Sequence, residues 1–485
     1  MMKTTFALFF SLGWSLLLLD AQANNLSITN LSLVNVTNGS ADIQFDLSWD
    51  NSWRTSWSDN GDTVTVTNWD AAWVFAKFRQ SGGLWKHVML TESNHTATGG
   101  TVIDVAMDDG GTNLGAFVYR PVEGAGSVTC EQMRLHWNYA ASGLSGTNDV
   151  DIAVMGIEMV YIPEGPFSLG SGGTEYSHFY QYPMQSQPFL VTNAGPILLD
   201  ETNGALYATG DVSTKGIIPS TFPNGYQALY CMKHELTEGA YVDFLNMLDP
   251  SVAPTYYPNI AYGVYRLTIH YTNGLYATDA PDRPCCCLRG GWKLTYLDWS
   301  GLRPMTELEF EKIARGVKTP WINEYAWGNS SLVALTGLDG VDGSGEETAL
   351  PVGANVHIKS SPYSGPVRAG IFATANSSNR FDAGAGYYGV LDLSGSLWEP
   401  VVSVARTDGR DYFFDEYGDG NEYTLYPWYT AESGNAYGLR GGGYHLNDGA
   451  NANQATISAR NNMDGGYLIR DPSQYYGIRG VRTAP

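Results

Sequence analysis

Ile43, Phe45, Leu47 and Trp49 are separated one by one by Gln44, Asp46 and Ser48. Side chains of a strand point alternately to its two faces, so this stretch settles as a strand with one face in a core and the other polar. The pattern recurs. Val64 and Val66 alternate with threonines, and residues 73–78 and 116–119 read as further strands. Asp50-Asn51-Ser52, Ser81-Gly82-Gly83 and Asp108-Asp109-Gly110-Gly111 punctuate them as turns. Val150 to Met155 is the last strand of the series. Short strands with frequent turn signals predict an all-β, sandwich-like unit over residues 24–155.

Residues 24–36 differ in character. Leu26, Ile28, Leu31 and Leu33 sit in a Ser/Asn/Thr background before Asn38-Gly39. Two readings stand: an ordinary first strand, or a free strand that completes a neighbouring molecule's sheet and so drives self-assembly. Several N-x-S/T sites occur; Asn25, Asn30, Asn35 and Asn38 fall within residues 24–38, and another is at Asn94.

Before this unit, Lys3 precedes an apolar run from Phe6 to Leu19, and Ala21-Gln22-Ala23 fits a small-x-small cleavage pattern. This predicts a leader over residues 1–23 and a secreted or cell-surface protein, with an N-terminal anchor as the alternative. No later stretch is long and apolar enough to span a bilayer. The formal net charge of −22 argues against nucleic acid, whose binding requires basic surface, and against anionic membranes. The five cysteines are Cys130, Cys231 and the run Cys285-Cys286-Cys287. They read as small buried residues in strands, with a disulfide from the triplet to Cys231 left open.

Residues 157–485 form a second unit of α+β type. Thr237 is placed to cap a helix carrying Tyr241, Phe244, Leu245 and Leu248 on one face. Thr306 and Glu309 make a capping box before Phe310 and Ile313. Beyond Gly316 the chain is rich in Gly, Ser and Asn, so long loops carry specificity there.

Several segments of this unit, in order, resemble the formylglycine-generating enzyme (sulfatase-modifying factor) family. They begin with Met159 to Pro163 and Met232 to Thr237. The block Trp299-Ser300-Gly301-Leu302-Arg303-Pro304-Met305-Thr306-Glu307-Leu308-Glu309-Phe310-Glu311 follows. Ala326 to Asn329, Tyr388 to Glu399, Arg440 to Tyr444 and Gly477 to Arg482 complete the series. The resemblance implies a C-type-lectin-like fold for residues 157–485; the N-terminal β unit lies outside it.

In the family's oxidases two cysteines just after the Arg-Gly-Gly motif bind copper. Leu446 and Asn451 occupy those positions here, Gly443 replaces the motif's serine, and no cysteine follows Tyr444. Neither Leu nor Asn replaces a thiolate on a soft metal, so copper and the family's chemistry are not expected. No catalytic residues are assigned. Cys285 to Cys287 match a structural strand of the family, and the eight histidines show no paired ligand spacing. His445, beside the motif, is the one of interest.

By the same resemblance, Asp392 and Glu399 would offer carboxylates, and Gly395 and Leu397 carbonyl oxygens, to a Ca²⁺ ion. Loops over residues 409–429 concentrate aromatics and acids. Tyr412, Tyr417, Trp428, Tyr444 and His445 are the candidate contacts for a glycan or protein ligand. The expected function is therefore an exported, non-catalytic binding or surface-assembly protein. The alternatives are a divergent oxidoreductase in the same cleft and a filament subunit joined by N-terminal strand exchange.

Overall fold

The computed structural model describes residues 5–9, 18–20, 25–59, 64–107, 111–147, 149–208, 215–358, 363–411, 418–420, 436–446, 452–463 and 472–485. The main elements are β1 (Ser27–Val34), β2 (Ala41–Asp59), β3 (Val64–Gln80), β4 (Val102–Met107), β5 (Asn113–Tyr119), β6 (Gly124–Trp137) and β7 (Val150–Ile162). They continue with β8 (Leu229–Met232), α1 (Glu238–Met247), α2 (Gly290–Trp299), β9 (Arg303–Pro304) and α3 (Glu307–Arg315). Late in the chain come β10 (Glu399–Val402), β11 (Tyr437–Arg440) and β12 (Gly480–Thr483). The result is a large antiparallel sheet with few helices, a sheet-rich α+β architecture.

The sheet runs β9-β12-β8-β7-β3-β2-β1. In β2 the alternating residues Ile43, Phe45, Leu47 and Trp49 are buried, as the pattern requires. β3 and β7 pair from Asp70–Val160 to Gln80–Val150 and are buried on both faces. Their even-numbered Val74, Ala76, Phe78, Ile152 and Val154 join the core formed with β2. Their odd-numbered Trp73, Phe75, Met155, Ile157 and Met159 join a second core with Phe244 of α1 and Trp299 of α2. Two-sided burial explains why these strands read as apolar runs without alternation.

β7 extends beyond Met155 to Ile162, where it also pairs with β8 from Met159–Met232 to Ile162–Leu229. The expected boundary at residues 155–157 thus falls inside one strand. Cutting there would uncover Trp73, Phe75 and Phe117, at roughly 1.5–3 kcal/mol for each large side chain. The two units share a sheet and do not separate at that point.

Of the two readings for residues 24–36, the ordinary first strand is the one seen within this chain. β1 pairs with β2 from Ser27–Ser48 to Val34–Asp42 within the same chain. Asn25, Asn30 and Asn35 adopt positive φ, and their amides donate to Asp50, Asp46 and Asp42 respectively. Three sequon asparagines thereby fasten β1 to β2. Within the expected leader, Thr5–Phe9 lies antiparallel beside Ile152–Val154.

Both helix starts match the sequence signals. Thr237 accepts from the Ala240 N–H, and Thr306 and Glu309 form the reciprocal capping box. Among the described residues no helix is long and apolar enough to cross a membrane.

Candidate functional site

The Arg-Gly-Gly motif begins at the end of β11. Arg440 is fully buried and donates from Nη1 to the Ile457 and Ala459 carbonyls, each at 2.9 Å, and from Nη2 to Glu311 Oε1 at 2.9 Å. Glu311 also pairs with Arg315 at 2.8 Å, and Glu307 with Arg460 at 2.7 Å. The motif arginine is thus a structural tie between α3 and the late loops. Gly441 and Gly442 follow at φ 83° and 75°, the left-handed turn that glycine permits. At Gly443 a Cβ would stand 2.9 Å from Trp398 Cδ1 and 3.2 Å from His445 Nδ1, so the family's serine has no room.

Rings close this region. The centroids of His445 and Tyr475 are 4.0 Å apart, those of Tyr444 and Tyr475 5.6 Å, and His357 stacks on Tyr444 at 5.7 Å. Leu446, at one of the expected sulfur positions, is buried against this packing; Asn451 lies outside the described residues. Burial pushes the imidazole of His357 down to about 3, so it is neutral at pH 7.

Sulfur is nevertheless near. Cys286 and Cys287 are close enough to Tyr444 that, after burial itself, they help push its phenol up. Their Sγ atoms are 3.2 Å apart and both side chains are buried. This corrects two expectations: the pocket is not remote from every thiol, and the triplet sits in an irregular segment before α2 where a strand was expected. Cys130 and Cys231 do lie in strands β6 and β8, and all five thiols are free, including Cys231.

The expected calcium loop packs beneath the same region. Glu399 Oε1 accepts from Arg479 Nε and Nη2 at 2.9 and 2.6 Å, while its Oε2 is buried without a hydrogen-bond partner. Asp392 Oδ2 accepts from the Gly370 N–H at 2.6 Å. Glu235 receives the Ser396 hydroxyl at 2.7 Å and the Leu397 N–H at 3.1 Å, and burial and Glu399 push it well above the usual carboxylate range. Of these three, only Glu399 is bonded to the Arg479 guanidinium, and its Oε2 is the oxygen left over, a donor type suited to a hard cation. Among the described residues no group of three or more His, Cys, Asp or Glu side chains stands in metal-holding geometry.

The open site lies elsewhere. A cleft of about 930 Å³ is bounded by Trp53, Thr55 and Trp57 of β2, Asn68 of β3, Lys233 and His234 after β8, and the 373–391 loop. It exists because of a bulge. The register of β2 against β6 shifts between Trp49 and Ser52, with Asn51 at φ 54°. An inserted residue reverses which face a strand's side chains take. Trp49 therefore enters the core shared by β2, β3 and β7, while Trp53 and Trp57 pack partly exposed beside the loop.

The walls are fixed by polar contacts. Trp57 Nε1 donates to Tyr387 Oη at 3.0 Å, and Tyr387 donates in turn to Asp59, which also holds Lys318. Trp53 Nε1 donates to Asn68 Oδ1 at 3.0 Å. Lys233 Nζ lies 4.8 Å over the Trp53 ring and 3.1 Å from Glu158.

Two lining groups are left unengaged. His234 is buried, its Nδ1 is 3.9 Å from Asp392 Oδ2, beyond hydrogen-bond length, and neither ring nitrogen has a hydrogen-bond partner. Burial pushes it down to about 4. Arg380 lies 5.6 Å over the Tyr387 ring; its Nη1 is buried without a hydrogen-bond partner, and it makes no ion pair among the described residues.

Of the contacts expected from sequence, Tyr444 and His445 belong to the closed ring cluster and do not line the cleft. Tyr412, Tyr417 and Trp428 lie outside the described residues. The cleft residues were missed. The available signal was Trp53 and Trp57, spaced for one face of a strand but set in a polar Asn/Ser/Arg/Thr background. Compared with known proteins, no family model matches the chain, and none of the curated proteins matches it.

Proposed function

We propose that this chain is an exported, non-catalytic relative of the formylglycine-generating enzymes, with a C-type-lectin-like C-terminal unit and a ligand site in the cleft beside β2. The observation that carries this reading is the contrast in filling. Leu446 and stacked rings occupy the place where the resemblance puts catalytic sulfur, while the open cavity is lined by residues with no part in that chemistry. Surface assembly by strand exchange is less supported, because β1 is already paired in its own chain. The decisive test offers a cysteine-containing peptide and copper to the protein in an oxygen electrode. No copper-dependent uptake above buffer is expected; uptake that follows the protein would overturn the reading.

One observation favours the divergent oxidoreductase as a second reading: the Cys286–Cys287 pair beside Tyr444. Under that reading the same uptake appears and is lost in Cys286→Ser and Cys287→Ser.

A structural Ca²⁺ would be held by the Asp392 and Glu399 carboxylates with the Gly395 and Leu397 carbonyls, taking up the Glu399 oxygen left over. Melting in EDTA then gives a lower Tm than melting in calcium, since a ligand bound only to the folded state stabilises it. Superimposed melts would exclude the ion.

A further inference from the structure

We propose that the cleft beside β2 takes an anionic saccharide, with sugar rings against the indoles of Trp53 and Trp57 and a carboxylate or sulfate ester received by Arg380. The inference rests on the binding reading above and adds the ligand class.

Size comes first. Ligand pockets run to roughly 300–1,000 Å³, and this cleft, at about 930 Å³, is at the upper end. It has room for a short oligosaccharide rather than a single small metabolite. Its lining is of two kinds. Trp53, Trp57 and Tyr387 present large, partly exposed rings, which suit the C–H face of a pyranose. Thr374, Ser377, Ser378 and Asn379 form a rim of hydroxyls and an amide, groups that both donate and accept as sugar hydroxyls do.

Charge narrows the class. Among the described residues no Asp or Glu lines the cleft, although the protein carries a net charge of −22. Asp382, near the rim, is taken up by the Ser378 hydroxyl and the Asn379 amide. Asp59 is held by Lys318 and Tyr387, and Lys233 is balanced by Glu158. Among the described residues Arg380 makes no ion pair and its Nη1 has no hydrogen-bond partner, and a guanidinium fork matches the oxygens of a carboxylate or sulfate. His234 also lines the cleft, and neither of its ring nitrogens has a hydrogen-bond partner among the described residues, which leaves them for the ligand or a bridging water.

The backbone gives a peptide little to pair with: residues 52–54 of β2 pair with β6 and residues 54–59 with β3, which leaves a free edge over residues 55–59 alone. One half-buried guanidinium in so acidic a chain does not make a polyphosphate track.

The test is calorimetric titration of the whole protein with three sets of oligosaccharides: sulfated galactan, oligogalacturonate and desulfated, neutral galactan. At least one charged set should bind about tenfold more tightly than the neutral one, and which charged set does so separates sulfate from carboxylate. Arg380→Gln should remove that preference and leave neutral-sugar affinity unchanged. Trp57→Ala should weaken every set that binds. Thr55→Ala, on the exposed face of β2 that lines the cleft, serves as the variant that leaves the packing alone, with a loss of roughly two- to fivefold, the range of one modest hydrogen bond. Melting curves establish that each variant is folded.

Equal binding of neutral and charged sugars, or an unchanged preference in Arg380→Gln, would overturn the anionic class while sensitivity to Trp57→Ala upheld the cleft as a binding site. Absence of saccharide binding at roughly 1 mM, with an acidic peptide bound instead, would overturn the saccharide itself. The oxygen-uptake assay judges the non-catalytic reading separately.

Discussion

The ring cluster around Tyr444 and the cleft over Trp53 are built from similar materials and reach opposite ends. Each gathers aromatic rings, a buried histidine and a nearby arginine. Around Tyr444 the arginine is spent on the fold: Arg440 answers two carbonyls and Glu311, and the rings of His445, Tyr475 and His357 pack against one another and Tyr444. Over Trp53 the arginine is unpaired, the rings stand apart on a strand and a loop, and 930 Å³ stays open. Unpartnered polar atoms do not tell the two apart, since Arg440 Nε, Tyr444 Oη and both His357 nitrogens lack partners as His234 and Arg380 Nη1 do; the open volume over Trp53 does.

The sharpest way to break this contrast is to disturb the partnered arginine. Arg440→Ala leaves Glu311 with one guanidinium fewer and two carbonyls without their donor, so a loss of about 3–5 kcal/mol in denaturant unfolding is expected. A loss below about 1 kcal/mol would mean that the tie is ornamental.

Protons give a second, smaller lever. His357 is pushed down to about 3 and His234 to about 4, each by burial, from an ordinary value near 6.5. Below that value the unfolded chain binds the protons, so their contribution is intact above pH 6.5 and is lost as the pH falls toward 4. Buried Asp70, raised to about 6, and Glu238, raised to about 7, have the opposite slope, because the folded form holds their protons longer. Comparing each histidine variant with the parent cancels that background. Between pH 6.5 and 4 the parent should lose on the order of 3 kcal/mol relative to His357→Phe, and somewhat less relative to His234→Phe. A difference that is flat with pH would contradict the burial of these rings.

The same two regions show what the sequence could reveal. The alternation in β2, the caps at Thr237 and Thr306 and the left-handed turn at Gly441 and Gly442 were legible because each is set by residues within a few positions. The extension of β7 was not. A continuous apolar run records burial without saying on how many faces, so Met155 and Ile157 looked like the end of one unit and the start of another. The cleft was hidden for a different reason. Its walls lie more than 300 positions apart, as in the Trp57–Tyr387 bond, and a single bulge decides which way Trp53 and Trp57 turn. The closed pocket was half legible. The missing cysteines were plain, but the arrival of Cys286 and Cys287 beside Tyr444 depends on tertiary packing alone.

That closure can be measured directly by native thiol alkylation read by intact mass. All five thiols are buried; burial pushes up those of Cys231 and Cys285, and the contact with Cys287, followed by burial, pushes up Cys286. The folded protein should therefore gain no label during an exposure that labels all five cysteines once it is unfolded. Prompt labelling of Cys286 or Cys287 in the folded protein, at a rate near that of a free thiol, would show a pocket that is open and chemically live, and would contradict the account.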